Sequence, residues 1–373
     1  MFNPRYEAFV KSFVNDFGQR VLKSTPGNVI VSPLSAQRVL ALTQLGARGA
    51  TAAELTKGLH LPDSKENVQI DFKELHSKLR TNQFYTLNFA DKIYLKEGYS
   101  VKAEFMELAK EIFEATLETV NFADEVKATE TINEWVRSQT NNRIRNLVKP
   151  GTASILTKMI LVNAINFKAK WSLQFERLET CKRKFFKSED ETLHVDTMHQ
   201  TGIFKYVENK KLDAKILQLP YKGRGISMTV ALPNQKEGLE TVENRFSEIL
   251  FDQKYQPKGL SLFMPKFRIE SSLVLNSVLQ ESGIKKAFDS DEADFSGLLA
   301  NDERLVITDV VQKAFIRVTE TGTEIPEGNG GGLRPYFISS EKPLEIRLDR
   351  PFFFAITLGN IPLYLGRVKE PTY

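Results

Sequence analysis

Four histidines and one cysteine are the side chains with the widest chemical range in this sequence, and their spacing gives them little chemistry to do. His60, His76, His194 and His199 form no His-Glu-x-x-His pattern, and Cys181 has no Cys-x-x-Cys partner. His194 and His199 lie five residues apart in a strand–turn context. A metal pair there would need a third ligand, no further histidine or cysteine lies nearby, and surface histidines are the favoured reading. The sequence lacks a Gly-x-Ser-x-Gly elbow, so a hydrolase of that type has no nucleophile motif. The glycine-rich run 328–332 lacks the Lys-Ser/Thr ending of a phosphate-binding loop and reads as a flexible loop. No metal and no cofactor is expected. Lys73, Lys78 and Arg80 could offer a polyanion a weak site, but Asp71 and Glu74 share their helix, and a solvated mixed-charge face is the better reading. Trp135 and Trp171 read as core residues rather than ligand platforms.

The elements that must carry these residues follow from the apolar pattern. The 373 residues are 41% hydrophobic and 26% charged, the balance of a soluble globular chain. Lysine and arginine total 51 against 47 acidic residues, a surplus too dilute to argue for nucleic acid or a membrane surface. With a single cysteine no internal disulfide is possible, and no Asn-x-Ser/Thr sequon occurs. Arg5, Glu7, Lys11 and Asp16 interrupt the stretch Phe2 to Gly18, so no secretory leader is read there.

Phe9, Val10, Phe13, Val14, Phe17, Val21 and Leu22 predict a helix over 6–23. Ser32 is a good N-cap with Pro33 at the first helical position, and that helix should end at Gly46 or Gly49. Helices are also predicted at 66–80, 103–118 and 129–147. Strands are predicted at 87–95, 159–167, 226–232, 261–269, 305–319, 344–358 and 363–368. In 312–318, Ala314, Ile316 and Val318 share one face, with Lys313 and Arg317 on the other. Helices early and strands late indicate an α+β protein. Residues 320–343 break the texture, with five glycines and three prolines between two strong strands. A loop this long inside a compact domain is usually functional or disordered.

Nine segments in order, covering nearly the whole chain, resemble serpins: NVIVSPLSAQRVLALTQLGARGATAAEL (28–55), INEWVRSQTNNRIRNLV (132–148), LVNAINFKAKW (161–171), MHQTGIFKYVE (198–208), FMPKFRIESS (263–272), ADFSGL (293–298), VVQKAFIRV (310–318), DRPFFFAI (349–356) and LYLGRVKEP (363–371). The texture is similar to arthropod members. The resemblance implies a single domain, 1–373, with three β-sheets, about nine helices and an exposed reactive loop at 320–343. It places Ser32, Ser35 and Asn163 under the point where the main sheet opens, and Trp171 at the top, where the loop first enters. Gln312 stands where many members have a histidine, so the hydrogen bonding there must differ. It also implies a monomer that meets a chymotrypsin- or trypsin-like serine protease. Secretion is the family habit, with a cytosolic form the alternative.

Inhibitory serpins insert the cleaved loop as a new central strand before the acyl-enzyme hydrolyses, and each ~1.4 kcal/mol on the insertion barrier slows that step about tenfold. The family hinge reads roughly Glu-Glu-Gly-Thr-Glu and then alanines. Here Glu320, Gly322, Thr323 and Glu324 match, Thr321 replaces the second Glu, and Ile325, Pro326, Glu327, Gly328 and Asn329 replace the alanines. Alternation would turn Thr323, Ile325, Glu327 and Asn329 inward. A charged Glu327 would then be buried, at a cost of several kcal/mol. Pro326 removes one ladder hydrogen bond, about 1 kcal/mol or more. Each glycine adds about 0.5–1 kcal/mol of lost entropy.

The expectation is a non-inhibitory serpin, not an enzyme, cleaved as a substrate or serving as a binding protein. The alternatives are a working suicide-type inhibitor and a carrier or chaperone-like member that binds a ligand or client. Counting forward from Glu320 places the scissile bond at Tyr336–Phe337, and counting back from Glu345 places it at Ser340–Glu341. Arg334 would suit a trypsin-like enzyme, but Pro335 follows it. Tyr336 is favoured.

Overall fold

The computed structural model describes residues 4–79, 81–140, 146–223, 225–324 and 342–373. The N-terminal part is helical: α1 (Pro4–Ser24), a short β1 (Val29–Val31), α2 (Pro33–Gly46), α3 (Gly49–Gly58) and α4 (Lys65–Lys78). Then come β2 (Tyr85–Lys96), α5 (Ala103–Phe113), β3 (Thr116–Val120), α6 (Glu125–Gln139) and β4 (Met159–Lys170). A run of strands follows: β5 (Cys181–Phe186), β6 (Thr192–Asn209), β7 (Ala214–Pro220) and β8 (Ile226–Pro233). Two short helices, α7 (Leu239–Glu243) and α8 (Phe246–Phe251), precede β9 (Gln256–Pro265), β10 (Phe267–Val274) and α9 (Asn276–Glu281). The chain closes with β11 (Asp309–Val318), β12 (Gly322–Thr323), β13 (Leu344–Arg347), β14 (Phe352–Leu358) and β15 (Ile361–Val368).

Nine α-helices are thus present among the described residues, and the strands form two ladders. One has the order β10-β11-β12-β4-β2-β3, with β11 also pairing β4 directly. The other runs β1-β15-β14-β8-β7-β6-β9-β13, with β5 joined to β6. The three sheets expected are this six-stranded sheet and two limbs of the larger ladder. Those limbs are continuous because β6, 18 residues long, pairs with β7 at one end and β5 at the other.

Local chemistry accounts for the element ends. The Ser32 hydroxyl accepts the Ser35 N–H at 3.2 Å, and Pro33 occupies the first turn of α2, as the sequence predicts. α2 ends at Gly46, the first of the two glycines expected to stop it, and Gly49, at φ 53°, opens α3. Other boundaries differ from expectation. α5 stops at Phe113 because Glu114 takes a left-handed φ of 49°, and the predicted last turn becomes β3. α6 begins earlier, where the Asp124 carboxylate accepts the Lys127 N–H, and ends at Gln139. The spans 261–269 and 344–358 each divide into two strands, broken at Lys266 and at Leu348–Pro351.

The main core lies between the six-stranded sheet, α1, α2 and the larger ladder. A second cluster lies on the sheet's other face. There Ala128, Ile132 and Val136 of α6 cover Tyr94 of β2, Ile160 and Val162 of β4, and Phe315 of β11. Ala314, Ile316 and Val318 join the main core while Phe315 faces α6, which is the predicted alternation of β11.

Candidate functional site

The six-stranded sheet has a seam between β4 and β11. In its lower part the two strands pair directly and in parallel, from Asp309 opposite Ile160 to Ala314 opposite Ile165. Above that register they diverge, and the chain beyond β11 folds back to fill the gap. It leaves β11 at Val318, turns over Thr319–Thr321 and re-enters as β12. Thr323 then faces Val318 on one side and Ala169 on the other.

Each residue of this turn has a defined role. The N–H and hydroxyl of Thr319 both donate to the Gly322 carbonyl, at 3.0 and 3.1 Å. At Gly322 a Cβ would lie 2.1 Å from the Ala169 oxygen and 2.8 Å from the Lys170 Cα, so only glycine seats here. Trp171 receives the turn: its backbone N–H donates to Thr321 O at 3.0 Å and its indole N–H to Thr319 O at 2.9 Å. The Trp171 ring stacks on Tyr221 at 4.3 Å, and the Tyr221 hydroxyl meets the buried Thr323 hydroxyl at 2.6 Å. Burial pushes the Tyr221 phenol far above its ordinary range, so it is neutral and can donate.

Glu320 is buried, accepts from the Thr180 hydroxyl at 2.9 Å and pairs with Lys266 at 3.2 Å. The Phe175 N–H donates to its carbonyl. Glu324 ends the inserted segment. Its N–H reaches Arg317 O at 2.8 Å, its φ turns to 57°, and its side chain is buried. Burial, with the Glu324 charge adding to it, raises the Tyr364 phenol well above its ordinary range.

The lower seam is fastened by side chains. Gln312 is fully buried on β11, and its oxygen accepts the Ser32 N–H at 2.8 Å. Its amide N–H groups donate to Ser32 O at 2.9 Å and, across the seam, to Asn163 Oδ1 at 2.6 Å. Asn163 in turn donates to Ser35, through the carbonyl at 3.0 Å and the hydroxyl at 2.6 Å, and to Asp91. Asp91 also accepts from Arg38 Nε at 3.2 Å. Burial pushes the Asp91 carboxyl up, against the opposing pull of Arg38.

The structure therefore brings Ser32, Ser35, Asn163 and Gln312 into one network, and Trp171 and Glu320–Glu324 into another. Ile325, Pro326, Glu327, Arg334, Tyr336, Phe337 and Ser340 lie outside the described residues, as does Arg80. His194 and His199 sit on β6 at odd spacing, hence on opposite faces, and no metal-binding group of three occurs among the described residues. Trp171 is buried, whereas Trp135 is only partly so, with the Lys92 ammonium 5.0 Å from its ring. Tyr221, Thr180 and Lys266 were not singled out from sequence. Tyr221 and Thr180 are 102 and 140 residues from Thr323 and Glu320, a distance that no periodicity spans.

A family profile described as Serpin (serine protease inhibitor) matches residues 9–371. The chain belongs to the serpin family. Alaserpin of Manduca sexta is 34% identical over 96% of this chain and 92% of its own. Among solved structures, Serpin48, a highly specific serpin of the insect Tenebrio molitor, superposes with a TM-score of 0.91 at 39% identity, over the whole of both chains. Human thyroxine-binding globulin in complex with thyroxine reaches 0.89 at 25% identity, over 99% of each chain. The serpin fold is thus established, and the seam described above lies in the main sheet of that fold.

Proposed function

We propose that this serpin presents residues 320–343 to serine proteases from one domain and is non-inhibitory, serving as a substrate or a binding protein. The observation that carries this reading is the orientation of Thr323. Its side chain is buried and bonded to Tyr221, which sets the inward parity of any strand that continues from it. On that parity Ile325, Glu327 and Asn329 would face the core, and Pro326 would occupy the ladder between them. A carboxylate buried there costs several kcal/mol, enough to let hydrolysis of the acyl-enzyme outrun insertion. The backbone already turns out of the strand at Glu324. Tyr336 is the favoured site of cleavage, by a chymotrypsin-like enzyme.

The second reading is a working inhibitor. The family description and the first pair already seated in the seam favour it. Incubation with a chymotrypsin-like and a trypsin-like protease separates the two, read on a denaturing gel and by thermal melting. The expected result is cleavage without a covalent complex. A complex that survives denaturation establishes the inhibitor instead.

A further inference from the structure

The larger ladder carries a cleft of about 320 Å3 that neither the hinge nor the seam uses. β5 lines one part of it, and the end of β13 with the two residues after it lines another. Phe263 of β9 belongs to the same lining, and its ring is held by stacking on His199 at 4.3 Å. Two guanidiniums rest on that ring, Arg183 of β5 at 4.4 Å from the centroid and Arg347 of β13 at 5.4 Å. Such contacts hold a guanidinium in place without neutralising it. The charges around the cleft do not balance. Lys182 and Arg347 have carboxylate partners, Asp196 at 3.3 Å and Glu345 at 2.7 Å. Asp349, the acid in the lining, pairs with Arg350 at 2.9 Å. Arg183 and Lys184 also line the cleft, and neither has a carboxylate partner among the described residues. Lys184 is exposed and Arg183 half-buried, so a solute can reach both. The Arg183 Nε is sealed from solvent, and its two terminal nitrogens, which are not, supply the donors.

We propose that this cleft binds a phosphate monoester, with the Arg183 fork donating to its terminal oxygens and Lys184 balancing its second charge. A planar guanidinium presents paired N–H groups that match the oxygens of a phosphate, and a half-buried one loses less to solvent screening than a free surface lysine. The charge sets the class. A phosphate monoester carries about two negative charges at neutral pH, the number that the two unpartnered cations can balance. A sulfate monoester has the same tetrahedral oxygens but a single charge, and would leave one cation unmatched. A volume of this size suits one small molecule. Phe186, half-buried at the end of β5, offers contact to the body of the ester.

Titration calorimetry of the full chain with phenyl phosphate and with phenyl sulfate, at physiological salt and neutral pH, tests this. Phenyl phosphate should bind saturably at one site, at least threefold more tightly than phenyl sulfate. Arg183→Gln removes the fork and should weaken phenyl phosphate at least tenfold. Lys184→Gln changes an exposed side chain and should weaken it at least threefold, which keeps the test decisive even if the Arg183 variant fails to fold. Lys210→Gln removes an equally exposed charge just beyond the far end of β6 and should leave the affinity unchanged. No binding of phenyl phosphate, equal or tighter binding of the sulfate, an affinity unmoved by Arg183→Gln or by Lys184→Gln, or an equal loss in Lys210→Gln would each overturn the proposal.

Discussion

The two halves of the β4–β11 seam solve the same problem in opposite ways. The lower half is closed by six directly paired residues on each strand, with Gln312 reaching across to Asn163 and back to Ser32. The upper half is parted, and a two-residue strand from the same chain holds the space. Below, separation would break a ladder and orphan fully buried amides. Above, it has already happened, and Gly322 and Thr323 pair with the parted edges only at their top, at Lys170, Ala169 and Val318. On the proposed reading the segment 320–324 is a wedge, and its further progress would depend on the lower fastening and on the residues that follow Thr323.

Replacing those following residues should have the largest effect. In Pro326→Ala, Glu327→Ala the obstacles to inward alternation are gone, and the fraction of protease trapped in covalent complex should rise at least tenfold, read on denaturing gels. No change would mean that the hinge sequence does not set the outcome. Next comes the lower fastening. Gln312→Leu strands the Ser32 N–H and C=O and the Asn163 oxygen, which should cost about 3–5 kcal/mol in urea unfolding. If the loss is below 1 kcal/mol, the seam is held by its ladder alone.

At the upper end, Lys266→Ala leaves the buried Glu320 with Thr180 and should cost about 3 kcal/mol. Gly322→Ala drives a methyl group against Ala169. A cost of about 1–3 kcal/mol should release the wedge and speed hydrogen exchange at the Thr323 amide by roughly 5- to 100-fold. The mildest change, Tyr221→Phe, removes one bond to Thr323 and should cost about 1 kcal/mol, with a smaller rise in exchange at the same amide.

Much of the lower seam was legible before the structure. Ser32 as a cap, Pro33 after it and the alternation of β11 are local signals, and each set its residues where they stand. β6 was harder to read because it alternates polar and apolar residues through both limbs of the larger ladder, without the continuous apolar run that marked β4. The overlong α5 has a similar cause: nothing in its composition signals that Glu114 will turn left-handed. The upper seam depends on contacts distant in sequence. Trp171 came from family resemblance, but Tyr221 and Thr180 become partners of the hinge only once β4, β5 and β7 are folded.

The second core cluster has a further consequence. α6 rests on β4 and β11 together, so its apolar face is shared by both lips of the seam. A strand entering from above must spread those lips beneath the helix, and the helix must tilt, lift or lose contact on one side. Seam width and helix position are then one coordinate. A dye on the exposed Val126, at the start of α6, would serve as a gauge of how far the sheet has opened.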